Sequence, residues 1–72
     1  MPEFIVGFTR SDTLNWLPSE TIELEQEEIT MGELMEAVEL RRSELSKKIG
    51  VEALFVIVAQ NGNIINYNAH NL

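Results

Sequence analysis

The chemically versatile side chains of this sequence reduce to one histidine, His70, and a dozen acids, with no cysteine at all. A Ser-His-Asp arrangement with a spare base, a Cys-His dyad and a tetrahedral zinc site of the usual kind are therefore out of reach. His70 sits in the tail of the chain, where a solvated side chain is the expectation. Glu23 and Glu25 have the spacing that puts two carboxylates on one strand face about 7 Å apart, as an acid and base would need. On the wet face of a strand nothing desolvates them, so solubility is their expected role. The acids from Glu25 to Glu28 lack the spaced ligands and the glycine of a calcium loop, and the four glycines are scattered singly rather than grouped around a phosphate. The sequence predicts no catalysis, no cofactor and no metal.

What remains is a surface. Twelve acids against five bases give a net charge of −7, which opposes phosphate backbones and anionic lipid. Glu20, Glu23, Glu25, Glu27, Glu28, Glu33, Glu36 and Glu39 follow one another with no base between them, and Arg41, Arg42, Lys47 and Lys48 come after. Such a run is a solvated face, a docking surface that steers a basic protein partner, or a mimic of the nucleic-acid backbone. A second feature is the apolar trio Leu14, Trp16 and Leu17, inside a stretch that Asp12, Pro18 and Ser19 mark as a loop. In so small a chain the expected job of this trio is to cap the open end of the core. The functional reading is an aromatic anchor for a partner, because a loop on a rigid sheet often carries one.

The elements that must hold these residues follow from periodicity. Phe4, Val6 and Phe8 alternate with Ile5, Gly7 and Thr9, as in a half-buried first strand. Ile22 and Leu24 alternate with Thr21, Glu23 and Glu25 in a second strand with one wet face. Thr30-Met31-Gly32-Glu33 spells a capping box, with Ile29 and Leu34 placed as a hydrophobic staple. The spacing predicts one helix from Met31 to Ile49, closed by Gly50 and carrying Met31, Leu34, Met35, Val38, Leu45 and Ile49 on its apolar side. Arg42 falls inside that stripe, where it either snorkels from the edge or pairs with an acid at an interface; Leu40 falls outside it. Ala53 to Ala59 is apolar on both faces, the pattern of a central strand covered on both sides, so Val56 and Ile57 are expected to be buried. Asn61-Gly62 suits a type I′ turn into a last strand, Asn63 to Asn68.

The order is β-β-α-β-β in a single domain spanning 1–72, an α+β fold with one helix on a mixed four-stranded sheet. From Phe4 to Ala59 this order resembles the ubiquitin-like β-grasp proteins, among which the small acidic bacterial sulfur carriers are similar in length. The resemblance implies a β-grasp-like fold. Carrier chemistry in that family rests on a terminal Gly-Gly, and the corresponding residues here read Ala69-His70-Asn71-Leu72, so the resemblance implies the fold and not the activity. The first residues lack the basic start and long apolar stretch of a signal peptide, and the absence of cysteine suits a reducing cytoplasm. The expected function is a non-catalytic protein-binding module, a small regulator, inhibitor or assembly subunit, that uses Leu14, Trp16, Leu17, Glu23, Glu25, Glu27 and Glu28 against a protein partner, a basic one on charge grounds. The alternative is a self-associating structural subunit, a homo-oligomer in which another copy covers an exposed strand edge or apolar patch.

Overall fold

Alternation in the first strand and a capped amphipathic helix dictate the architecture of the computed structural model, which describes residues 2–68. Strand β1 spans Glu3–Arg10, β2 Glu20–Glu23, helix α1 Met31–Ile49, β3 Ala53–Gln60 and β4 Asn63–Tyr67. The sheet order is β2-β1-β3-β4. It is antiparallel at every step, where a mixed sheet was expected. The reason is topological: the α1 crossover does make β2 and β3 run the same way, but β1 lies between them and opposes both.

The helix begins and ends where its residues dictate. The Glu33 amide donates to the Thr30 hydroxyl at 3.2 Å and the Thr30 amide to the Glu33 carboxylate at 3.3 Å, which satisfies two of the amides that a helix start leaves without partners. Gly50 closes the helix at φ +80°, its amide donating to the Ser46 carbonyl. Leu34 and Val38 are buried against Phe4, Val6, Phe8, Ile22, Ala53 and Val58. Met31, first in the apolar stripe, is instead exposed.

Arg42 turns inward. It makes a two-pronged hydrogen bond to Glu39 at 2.8 and 2.6 Å, donates to the Ala53 carbonyl at 3.0 Å, and lies 3.6 Å from Glu52. Ser46 completes this clasp, donating to the Arg42 carbonyl at 2.9 Å and accepting from the Ala53 amide at 2.8 Å. Both polar groups of buried Ala53 thus bond to the helix side chains, so the residue that breaks the apolar stripe joins α1 to β3 rather than serving an interface.

Two further expectations are corrected. Strand β2 starts at Glu20 and stops at Glu23, because β1 begins at Glu3, opposite Glu23, and offers little beyond it. Leu24 still donates to the Pro2 carbonyl at 3.1 Å, but Glu25 has left the sheet. Strand β3 is central and Val56 is buried, yet Ile57 is only half-buried. The single helix covers one face of the sheet, and the chain has no second helix among the described residues for the other.

Candidate interaction surface

Strand registers fix which side chains share the face that α1 leaves bare. Glu3, Ile5, Gly7 and Thr9 point there from β1, and pairing carries that side across to the neighbouring strands. Ile5 is flanked by Thr21 on β2 and Ala59 on β3, and Ala59 by Ile64 on β4. Gly7 is followed by Ile57 and then Tyr67, and Thr9 by Leu54. This face is apolar from β1 to β4 and still open to water: Ile5 is 56% exposed, Ile64 62% and Tyr67 56%.

Trp16 belongs to the same face. The 11–19 segment folds back along the end of β1, with the Arg10 amide donating to the Asn15 carbonyl, the Leu17 amide to the Phe8 carbonyl, and Thr9 and Trp16 facing one another as an isolated antiparallel bridge. Pro18, which has no amide hydrogen to give, separates this bridge from β2 proper. The Arg10 guanidinium grips Asp12 at 3.0 and 2.9 Å and holds that carboxyl below its usual range through this hydrogen bond. Trp16 lies over Gly7, and a Cβ on that glycine would meet the indole Cζ3 at 2.9 Å and the Ile57 Cγ2 at 3.0 Å. The missing side chain is the seat of the indole, an arrangement in which an aromatic covers a strand glycine. Trp16 remains 60% exposed. Across the bridge from Trp16, Thr9 is buried, its hydroxyl without a hydrogen-bond partner.

The expected site is therefore divided. Leu17 packs against the helix-side core and so does the capping foreseen for the whole trio. Leu14 is exposed at φ +60°, and Trp16 goes to the opposite face of the sheet from the core. Glu23 stands on the open face directly opposite Glu3, at the far end of β1 from Trp16, about 20 Å away at the usual rise per strand residue. Glu25, Glu27 and Glu28 lie in the connection from β2 to α1 beyond that end. Three other acids of the run serve the fold: Glu20 pairs with Arg41 at 3.1 Å, Glu33 closes the capping box, and Glu39 holds Arg42. His70 lies outside the described residues.

Alternation in β1 already puts Ile5 on the face away from Phe4, Val6 and Phe8, but the place of half-buried Ile57 and exposed Ile64 and Tyr67 on that same open face was not foreseen. The two-sided apolar pattern of β3 carries the signal, since it calls for a second cover without saying where it comes from. Glu27 also borders a cleft of about 200 Å³ lined by Pro2, Phe4, Ile29, Met31, Leu34 and Ile65, smaller than the roughly 300–1,000 Å³ of ordinary ligand pockets. Among the described residues no three acids or histidines come together as a metal site would require, and no helix is long and apolar enough to cross a membrane. Comparison with family models, curated proteins and solved structures yields no match to this chain.

Proposed function

We propose that this domain is a non-catalytic protein-binding module that docks through the open face of its sheet, with Trp16 as the anchor and the acids around Glu23 at one end. The observation that carries this reading is the exposed apolar face itself: Ile5, Trp16, Ile64 and Tyr67 are each more than half exposed on one contiguous surface. A strand as apolar on both sides as β3 belongs to a sheet covered on both faces, and this chain supplies one cover. Contiguous exposed apolar surface of that kind marks interaction sites, and Trp and Tyr are frequent anchors within them. The second reading is self-association, in which another copy covers the same apolar surface.

Affinity capture with surface variants tests the assignment. Trp16→Ala and Ile64→Glu should abolish retention of a partner, whereas Leu40→Glu should not, because Leu40 is equally exposed at 62% but lies on the helix. Equal retention by all three variants overturns the reading. A light-scattering mass of twice the monomer, lost in Ile64→Glu, transfers the face to self-association.

A further inference from the structure

Resting on that reading, we infer that the occupant of the open face is an amphipathic helix from a partner protein, lying along β3 with its basic end towards Glu3 and Glu23. The shape comes from the rows of the face. Ile5 and Ile64 stand on either side of Ala59, and the Trp16 indole, seated on Gly7, and Tyr67 stand on either side of Ile57. The flanking side chains sit two strands apart, about 10 Å, with half-buried Ala59 and Ile57 as the floor between them. This is a trough over one central strand. A rod about 10–12 Å across, the diameter of an α-helix, fits it, whereas a second sheet lies flat across all four strands. About two and a half helical turns span the face from the Ile5 row to the Thr9 row. The chain's own α1 already solves the same problem on the other side.

Charge sets the chemistry of that helix. The acids beside one end of the trough are Glu3 on its β1 wall and Glu23 on the adjoining β2, directly opposed across the two strands, a like-charge pair that costs stability unless a cation sits between the two. Among the described residues no lysine or arginine does so: Arg41, Arg42, Lys47 and Lys48 are all on α1, on the other side of the sheet, and Arg10 is held by Asp12. Glu25, Glu27 and Glu28 extend the negative potential past the same end. A Lys or Arg end on the incoming helix is complementary. A second copy is a poor occupant, because its open face brings the same two acids and no cation, and each copy carries a net charge of −7.

Trp16 is the only tryptophan of the chain, so its emission reports directly on the trough. The probe is a synthetic amphipathic peptide of about four turns with a Leu stripe and lysines at one end. Two comparators complete the set: the same peptide with glutamates in place of the lysines, and a scrambled peptide of unchanged composition. The Lys peptide should shift Trp16 emission to the blue saturably, and added salt should weaken it. Glu3→Gln with Glu23→Gln should cut its affinity about tenfold while the denaturation midpoint holds or rises, because the repelling pair is gone. The inference is overturned if the scrambled peptide binds as well, if the double variant binds unchanged, or if the free protein is a dimer with Trp16 emission already blue. Binding of the Glu peptide alone also overturns it, yet leaves the protein-binding face in place. If no peptide moves the emission, the helix is wrong, and the capture variants decide separately whether the face binds protein at all.

Discussion

The indole of Trp16 rests where the side chain of residue 7 would be, so Gly7 and Trp16 are a fitted pair rather than two independent positions. A Cβ at Gly7 would come within 2.9 Å of the ring and 3.0 Å of Ile57, and Gly7 is an ordinary extended strand residue with no positive φ to excuse a glycine. Gly7→Ala should destabilise the domain by about 1–3 kcal/mol, the usual range for overpacking, and shift Trp16 emission to the red as the ring lifts into water. In a Trp16→Ala background the same substitution should cost markedly less, with a coupling on the order of 1 kcal/mol. Equal costs in both backgrounds, read from urea denaturation, would show that the two residues do not share the space.

Thr9 gives a prediction of opposite sign. Its hydroxyl is buried with no hydrogen-bond partner, and a buried polar group in that state costs on the order of 1–3 kcal/mol. Thr9→Val keeps the shape and removes the orphan, so the unfolding midpoint should rise or hold. A clear fall in the midpoint would reveal that the hydroxyl is satisfied in solution.

The clasp between helix and sheet is testable at Ser46. Its hydroxyl is the acceptor for the amide of Ala53, a residue with no exposed surface. Ser46→Ala leaves that amide buried and unpaired, and should cost about 1–3 kcal/mol. Hydrogen exchange at Ala53 should accelerate in step with the stability loss; an unchanged midpoint would refute the clasp.

The acid limb of the stability curve should depend on Glu39. The Arg42 hydrogen bond holds its carboxyl below the usual 4.5, against a smaller opposing effect of burial. A depressed folded-state pKa means that the stabilisation is fully present above about pH 4.5 and is lost as pH falls through the lower, folded value. Because the Glu39 side chain is 63% exposed, its contribution is about 0.5 kcal/mol or less. Glu39→Gln should therefore lower stability slightly at neutral pH, and the difference from wild type should vanish in strong acid. A difference that persists undiminished at pH 2 would assign the effect to packing.

Local signals in the sequence were clear wherever a single residue does a single job. Thr30 and Gly50 bound the helix because one accepts the Glu33 amide and the other adopts φ +80°, and Asn61 and Gly62 take positive φ in the last turn. What the sequence could not show was which surface covers what. The apolar pattern of β3 calls for cover on both faces but does not say whether the second cover comes from the same chain. The trio Leu14, Trp16 and Leu17 was read as one cluster, yet alternation along a chain bridged to β1 sends Trp16 and Leu17 to opposite faces of the sheet. Arg42 looked like an intruder in the stripe because its partner, the Ala53 carbonyl, becomes visible only once the helix has docked.

The placement of β1 between β2 and β3 also sets an order of assembly. Helix α1, β3 and β4 are near neighbours along the chain, joined by a short turn, the Arg42–Ser46 clasp and the Asn61-Gly62 hairpin. Their contacts close small loops and form early. The central pairing of β1 with β3, in contrast, joins Ile5 to Ala59 from opposite ends of the chain, so its loop-closure entropy is met last. During synthesis Phe4, Val6 and Phe8 are made well before the β3 residues they pack beside. The short, twice-charged β2 strand, Glu20–Glu23, is then the only sheet neighbour at hand, and its glutamates help keep that early hairpin from pairing with other chains.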